Sequence, residues 1–343
     1  MSKKPNVLII YTGGTIGMIE DSETGALKAF DFKHLTSQIP ELNRLDINLS
    51  SESFEKPVDS SEMNLSHWKK MAQLIFDNYS KFDGFVVLHG SDTMAYTASA
   101  LSFMLQGLDK AVVLTGSQLP IGTIRTDGKE NLITSIEIAA AKNSEGKSMI
   151  QEVAIYFEYS LYRGNRTSKI SSSAFEAFSS ANYPELAVAG VQINYQLREK
   201  YPKNKELEFF THFENKVALL KIFPSFSAEI YQSLFDVSKV KAIIIESFGA
   251  GNVPSNEIFK SLITTYLKSG GIILNITQCT TGKVDQGKYE TSAFFDKIGV
   301  IGGNDLTTEA ALTKMMYLLG KYSDKTTITA KLQENIAGEI SLS

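Results

Sequence analysis

Short runs of apolar residues recur along the first half of the chain, and glycine-containing turns follow them. Four runs form a first series: Val7–Tyr11, Phe85–Leu88, Ala111–Gly116 and Val153–Phe157. Their residues are apolar almost without a break and do not alternate with polar ones, which indicates strands buried on both faces. The pattern predicts a parallel β-sheet that is covered by helices.

The stretches between these runs have the spacing of helices. Apolar side chains recur every three to four residues in three of them, Ser66–Tyr79, Thr93–Leu105 and Asn131–Lys142, as in helices that bury one face. Ser66 is the predicted N-cap of the first helix. Strands that alternate with helices predict an α/β fold built from right-handed βαβ units.

A second series of apolar runs occupies the other half of the chain: Val217–Phe223, Lys241–Gly249 and Gly271–Gln278. The charged stretch Asn194–Lys216 separates the two series and lacks apolar periodicity. We therefore predict a larger N-terminal parallel-sheet domain over residues 1–193, a linker over 194–213 and a smaller C-terminal α/β domain over 214–343.

Length and composition limit the number of domains, the kinds of partner and the cellular location that we expect. A length of 343 residues favours two domains, and 43% hydrophobic with 21% charged residues is ordinary for a globular protein. The net charge of -4 and the absence of a basic run argue against a nucleic-acid partner. Cys279 is the single cysteine, and no apolar segment approaches the roughly 20 residues that span a bilayer. We expect a cytoplasmic protein without a membrane partner.

Three polar turns leave the carboxyl ends of predicted strands: Thr12–Thr15, His89–Thr93 and Thr115–Gln118. Ligands gather at the carboxyl ends of strands in an open parallel sheet, so we expect these turns to meet along one edge. They bring glycines, hydroxyl groups and the Asp92 carboxylate to that edge. The sequence therefore predicts a polar site that is assembled from distant parts of the chain.

Each turn also has an ordinary structural interpretation. The segment Thr12–Gly17 can be a plain strand-to-loop turn, and it lacks the G-x-G-x-x-G spacing of a dinucleotide site. Ser91 and Asp92 can cap the helix that follows them. The four histidines and the cysteine show no metal-ligand spacing. We expect His89 to be structural, although a histidine-dependent triad stays open because triads assemble across sequence.

Three further polar segments can also be explained without a chemical role. Asp59–Met63 precedes a predicted helix and can cap it, and the composition of Arg125–Asn131 predicts a solvated loop. Lys169 lies in a polar loop after the fourth strand, where a lysine is usually solvated. It gains a chemical role only if it is buried beside a carboxylate, where it could act as a base.

The segments YTGGTIG, DSSEM, HGSDTM, RTDGKEN and NRTSK, in this order and spacing, resemble the bacterial-type L-asparaginases, in particular the cytoplasmic type I branch. The likeness covers nearly the whole chain and includes Ser247–Asn252 and Thr277–Val284. TGGTI and HGSDT are specific in combination. The resemblance implies a parallel-sheet N-terminal domain, a smaller α/β C-terminal domain, a homodimer or dimer of dimers, and no metal or organic cofactor.

The resemblance also implies a catalytic role for four residues. Thr15 corresponds to the nucleophile, and Ser91 corresponds to a second hydroxyl residue that is usually threonine. Asp92 and Lys169 correspond to its partners in a Thr–Asp–Lys-like array. A threonine hydroxyl is a poor nucleophile until a neighbouring group removes its proton. We expect Lys169 to accept that proton through Ser91 or a water molecule.

A substrate site is implied by the same correspondence. Ser60 and Ser61 match residues that hold the substrate α-carboxylate, Asp92 also takes the α-ammonium, and Asn252 matches a residue that reaches the site from a neighbouring subunit. Backbone N–H groups near Ser91 and Ser117 are expected to stabilise the oxyanion. The predicted substrate-binding residues are Asp59, Ser60, Ser61, Ser91, Asp92, Ser117 and Asn252.

Three positions depart from the family pattern. Ser91 lacks the methyl group that stiffens a threonine rotamer. Many relatives carry a tyrosine in the loop after the nucleophile, but the matching Gly25–Leu27 offers none. Some type I enzymes have an allosteric asparagine site near the Cys279 segment, with an arginine where this chain has Glu246. A carboxylate cannot hold a ligand carboxylate as a guanidinium does, so we expect no such site here.

The predicted function is therefore L-asparaginase activity, the hydrolysis of L-asparagine to L-aspartate and ammonia through a β-aspartyl ester on Thr15. Two alternatives stay open. One is a glutaminase, or an amidotransferase subunit that supplies ammonia and would need an accessory domain or partner surface. The other is a non-catalytic amino-acid-binding protein on the same scaffold, which the substituted Ser91 and the missing tyrosine keep open.

Overall fold

The computed structural model describes residues 4–17, 19–20, 27–28, 39–196, 206–286 and 290–341. The chain folds into two compact units, one formed by Met1–Ser180 with Pro184–Thr211 and the other by Ala181–Tyr183 with His212–Ser343. Residues 197–205, in the middle of the predicted linker, lie outside the described residues. On either side of them, Ile193–Tyr195 and Glu208–Phe209 are short strands of the first unit.

An eight-stranded sheet forms the centre of the first unit. In chain order its strands are β1 (Asn6–Tyr11), β2 (Asn48–Ser53), β3 (Gly84–Leu88), β4 (Val112–Thr115), β5 (Val153–Phe157), β6 (Ser160–Arg163), β7 (Ala187–Ala189) and β8 (Ile193–Tyr195). Their order across the sheet is β8-β7-β6-β5-β4-β3-β1-β2. Strands β1 to β5 are parallel to one another, and β6, β7 and β8 extend the sheet in antiparallel pairs. The predicted parallel sheet is confirmed.

Three helices of the first unit lie between these strands in the chain: α1 (Leu65–Asn78), α2 (Met94–Met104) and α3 (Gly128–Ala140). Helix α2 packs against β5, and α3 packs against β3 and β4. Every residue of β3, β4 and β5 is buried, as expected for strands with both faces covered.

The predicted helix starts need correction at two positions. Ser66 is not the N-cap of α1, because Asn64 caps it by accepting a hydrogen bond from Ser66 N at 3.0 Å. Helix α3 begins at Gly128 and not at Asn131, so it starts inside the polar segment that was predicted to be a loop. The first turn of α3 contains charged residues, so the apolar spacing that indicates a helix begins only after it.

The second unit contains a smaller parallel sheet of four strands, β9 (Val217–Lys221), β10 (Ala242–Ser247), β11 (Ile272–Thr277) and β12 (Ile301–Gly302), in that order. Its α-helices are α4 (Glu257–Lys268), α5 (Glu290–Ile298), α6 (Thr308–Lys321) and α7 (Lys325–Gln333). Ile243 and Ile273 on the sheet and Phe259 on α4 belong to one buried cluster. Across the described parts of both units, no helix is both long enough and apolar enough to cross a membrane.

Candidate active site

The ends of three neighbouring parallel strands bring the predicted polar turns together. Strands β1, β3 and β4 are adjacent, and their hydrogen bonds continue into the turns. Thr12 N donates to Leu88 O at 3.0 Å, and His89 N donates to Thr115 O at 2.9 Å. The Thr12 hydroxyl also donates to Leu88 O, so it is committed to structure. The prediction that these turns share one edge of the sheet is confirmed.

Two glycines allow the first turn to pack directly against its neighbours. Gly13 and Gly14 have φ values of +137° and +88°, which side-chain-bearing residues rarely adopt. A Cβ atom on Gly13 would lie 2.2 Å from Val58 O, and one on Gly14 would lie 2.5 Å from Gly90 N. Thr15 follows at once and is half-buried. The position of Thr15 is thus tied to the backbone of two other segments.

Ser60 lies where the segment after β2 meets the turn after β3. The Thr93 hydroxyl donates to Ser60 O at 2.6 Å, and a Cβ atom on Gly90 would lie 2.6 Å from Ser60 Oγ. Asp59 instead accepts from the backbone N and the hydroxyl of Ser61, at 2.9 Å each. These bonds, the backbone one first, lower the pKa of Asp59 below its usual value. Asp59 therefore shapes this turn, while Ser60 is the buried hydroxyl residue.

Lys169 contacts two polar side chains of the second turn, those of Ser91 and Asp92. Its Nζ donates to Ser91 Oγ at 2.8 Å and to Asp92 Oδ1 at 2.7 Å. The Lys169 side chain is 14% exposed, whereas that of Asp92 is 67% exposed. The backbone of Lys169 is held in place because Ser168–Lys169 pairs with Phe178–Ser179 as a two-stranded antiparallel ribbon. The structure thus brings together three of the four residues that were predicted to be catalytic, beside the turn that carries Thr15.

The third turn is supported by Asp127 and Asn131, a role that the sequence pattern did not indicate. The solvated loop predicted over Arg125–Asn131 is wrong for Asp127 and Asn131, which are 5% and 0% exposed. Asp127 accepts from Gln118 N at 2.8 Å. This bond offsets the cost of burying the Asp127 carboxylate and gives the Gln118 N–H a hydrogen-bond partner. Ser117 is also buried, and its hydroxyl donates to Leu119 O at 2.6 Å.

His89 has a structural role, as predicted. Its buried ring places Nδ1 2.6 Å from Gly90 O and Nε2 2.9 Å from Thr97 Oγ1. Because a carbonyl oxygen can only accept, Nδ1 carries the proton and Nε2 accepts from Thr97. The Thr97 oxygen in turn accepts from Trp68 Nε1 at 2.9 Å. Burial lowers the pKa of His89 to about 4, so the ring is neutral and both nitrogens are engaged. A catalytic triad based on His89 is excluded.

The free energy of unfolding should depend on pH in mild acid because His89 is buried. Its folded pKa of about 4 lies below the usual 6.5, so between these pH values the unfolded state binds more protons. The free energy of unfolding then falls as the pH drops, by about 3 kcal/mol from this residue at pH ~4. Urea unfolding of wild type and His89→Gln should show a variant that is less stable at neutral pH but loses less stability on acidification. Equal pH slopes would contradict this account.

Asn252 and Glu246 lie in the second unit. Asn252 closes a tight turn with Phe248, and the backbone N of each donates to the O of the other, at 2.8 and 2.9 Å. Glu246 is buried on β10, where Oε1 accepts from the Thr308 hydroxyl at 2.6 Å and Oε2 lies 3.4 Å from Lys221 Nζ. Its carboxylate is therefore already occupied. Gly25 and Ala26, at the position where the resemblance implies a loop tyrosine in many relatives, lie outside the described residues.

The first-unit cluster has the parts that acyl transfer requires. It combines two hydroxyl residues, Thr15 and Ser91, with the Lys169 amino group, which contacts Ser91, and the Asp92 carboxylate, which contacts that amino group. A base near a hydroxyl and a set of main-chain donors are what such chemistry uses. Among the residues that the structure describes, no three His, Cys, Asp or Glu side chains are grouped as metal ligands.

Comparison with known proteins places the chain in a family. The asparaginase N-terminal domain matches residues 6–201, and the glutaminase/asparaginase C-terminal domain matches residues 216–332. L-asparaginase 1 of Escherichia coli K12 is 40% identical over 344 residues, which cover 98% of each chain. A glutamyl-tRNA(Gln) amidotransferase subunit of Pyrococcus abyssi is 35% identical over 98% of this chain and 77% of its own.

A solved structure agrees with this similarity. L-asparaginase I from Vibrio cholerae has a TM-score of 0.89 and 36% identity to this chain, and the match covers 99% of this chain and 100% of that one. The family domains span both units, and the polar turns of the first unit carry its motifs. The chain therefore belongs to the asparaginase family of amidohydrolases.

Proposed function

We propose that this protein hydrolyses L-asparagine to L-aspartate and ammonia, with Thr15 as the nucleophile. The observation that carries the proposal is the contact of Lys169 Nζ with Ser91 Oγ and Asp92 Oδ1, beside the glycine turn that leads into Thr15. A cytoplasmic location is part of the same proposal, and so is assembly as a homodimer or dimer of dimers.

The reaction proceeds in two halves. Thr15 Oγ attacks the side-chain amide carbon of asparagine while its proton passes through Ser91 or water toward Lys169. The C–N bond then breaks, the nitrogen takes up a proton and leaves as ammonia, and a β-aspartyl ester remains on Thr15. Water attacks this ester by the same route, releases aspartate and restores the Thr15 hydroxyl.

Recognition of a free amino acid follows from the charges around the nucleophile. In the proposal, Ser60 and Ser61 hold the α-carboxylate, and the exposed Asp92 carboxylate holds the α-ammonium. Asn252 of a second copy completes the site. Main-chain N–H groups near Ser91 and Ser117 stabilise the oxyanion in both halves of the reaction. Paired contacts to both α-groups select a free amino acid over a peptide.

Ammonia release from purified protein tests this function. Incubation with L-asparagine is expected to yield ammonia and aspartate in equal amounts, and L-glutamine in a parallel assay separates an asparaginase from a glutaminase. Preference for glutamine would favour the alternative that the amidotransferase relative suggests. Binding of asparagine without turnover would identify an amino-acid-binding protein and would overturn the proposal.

Saturation with asparagine should be hyperbolic. Glu246 uses its carboxylate for Thr308 and Lys221 and cannot hold a ligand carboxylate, so no second asparagine is expected to bind there. Initial rates over a wide asparagine range measure this. Glu246→Gln serves as a control and should keep the same curve shape. A sigmoidal curve for the wild type would contradict the prediction.

A further inference from the structure

Asn131 joins two strand ends at the edge of the sheet that carries the candidate site. Asn131 Nδ2 donates to Gly116 O at 3.1 Å, after the end of β4, and Asn131 Oδ1 accepts from Glu158 N at 3.0 Å, after the end of β5. Glu158 and the next residue, Tyr159, have left-handed φ values of +43° and +67°, so the second strand end turns sharply. The buried amide of Asn131 therefore fixes two main-chain groups at once.

Asp127 determines which way that amide points. Its Oδ2 accepts from Asn131 Nδ2 at 3.3 Å and from Gln118 N at 2.8 Å, and its Oδ1 accepts from Leu119 N at 3.1 Å. Asp127 occupies the N-cap position of α3 but makes no side-chain capping bond to that helix. An aspartate at this position usually accepts from the first turn of its own helix. Here it serves the turn after β4 instead.

The carbonyl that Asn131 holds belongs to the same peptide group as Ser117 N–H. This peptide bond is trans, as are the others in the described part of the chain, so the N–H points away from the carbonyl. The Ser117 hydroxyl already donates to Leu119 O. Among the described residues the Ser117 main-chain N–H meets no acceptor, so this turn can offer it to a ligand.

We propose that Asn131 and Asp127 are positioning residues, which hold the Gly116–Ser117 peptide so that Ser117 N–H is aimed at the oxyanion. This inference rests on the proposed hydrolysis. Neither residue contacts the reacting atoms. A donor held in place beforehand stabilises the charged tetrahedral state more than the neutral amide, because it needs no reorganisation. Loss of its alignment therefore lowers kcat more than it changes KM.

The substitution Asn131→Asp tests this inference with little change in shape. It replaces the donor to Gly116 O by a carboxylate oxygen, and kcat for asparagine is expected to fall roughly 10²- to 10³-fold with KM nearly unchanged. Asp127 Oδ2, which accepts from Asn131 Nδ2 in the wild type, faces the new carboxyl, and this carboxylate together with burial favours its protonation. Protonation supplies an O–H donor again, so the ratio of variant to wild-type kcat should rise as the pH is lowered. A purely structural role predicts no such recovery in a sample that circular dichroism shows to be folded throughout.

The matched control is Ser148→Ala, which deletes a buried hydrogen bond to Ile150 O before the amino end of β5. It should lower stability and leave kcat near the wild-type value. If Asn131→Asp does not fold, Asn131→Ser, a smaller change, should show the same kcat loss at constant KM. A folded Asn131 variant with kcat within about threefold of wild type, or with a change in KM alone, would overturn the inference. Absence of turnover by the wild type would instead overturn the proposed function on which it rests.

Discussion

Ammonia release from L-asparagine is expected to fall by a factor on the order of 10⁴ or more in Thr15→Val. Valine keeps the size and branching of threonine but has no hydroxyl, so the covalent route is lost while the packing of the turn is preserved. The expected cause is removal of the nucleophile. Initial rates at saturating asparagine, measured against a no-enzyme blank, give the effect.

Thr15→Ser is the matched variant because it keeps the hydroxyl and loses only the methyl group. It should retain measurable turnover, reduced because serine populates more rotamers than threonine. The two variants together separate chemistry from packing. Activity of Thr15→Val close to that of wild type would remove Thr15 as nucleophile, and equal inactivity of both variants would indicate a structural effect.

Removal of the Lys169 amine is the second large effect that we expect. Lys169→Met keeps a long, nearly buried side chain but abolishes the contacts to Ser91 and Asp92. The proposed proton route then ends at Ser91, and kcat should fall roughly 10²- to 10⁴-fold. Steady-state kinetics at several pH values measure the loss.

The variant Lys169→Arg distinguishes a base from a fixed positive charge, because a guanidinium stays protonated at any working pH. It should be nearly as impaired as Lys169→Met. In the same assay Ser91→Thr should keep activity, while Ser91→Ala should lose orders of magnitude. Near-normal kcat in Lys169→Arg or Ser91→Ala would contradict the proposed proton route.

The buried strands of both sheets could be predicted from sequence because their pattern has a single physical cause. A strand covered on both faces must be apolar throughout, and the predicted strand Val153–Phe157 has the bounds that the structure gives. The same topology explains why three distant turns are expected at one edge. That edge follows from parallel pairing and needs no knowledge of side-chain contacts.

Strand β2, at one edge of the larger sheet, and the antiparallel strands β6, β7 and β8, on its other side, gave no comparable signal. Strand β2, NLSSES, is polar and half-exposed, so its residues match no buried-strand pattern. The antiparallel strands β6, β7 and β8 have three or four residues each. The turn that leads into β6 places Glu158 and Tyr159 in left-handed conformations without glycine or asparagine, the residues by which such turns are usually recognised.

The candidate site could be predicted only in part. Thr15, Ser91, Asp92 and Lys169 followed from family motifs, and the contacts of Lys169 depend on a ribbon that the sequence did not reveal. The charge-rich composition around Asp127 and Asn131 predicts solvent exposure, which is wrong for both. Their spacing was a usable signal, because Asp127 and Asn131 are four residues apart and so share one face of the helix start. Whether that face is buried depends on the turn after β4, which the spacing does not show.

Direct detection of the β-aspartyl ester tests the central claim, that Thr15 forms a covalent intermediate. Wild-type protein mixed with excess asparagine and quenched in acid within the first turnovers should carry one added aspartyl group. Peptide mass spectrometry should locate it on Thr15, and Thr15→Val treated in the same way should carry none. An adduct on Ser91 or any other residue, or rapid turnover with no adduct at any quench time, would contradict the account.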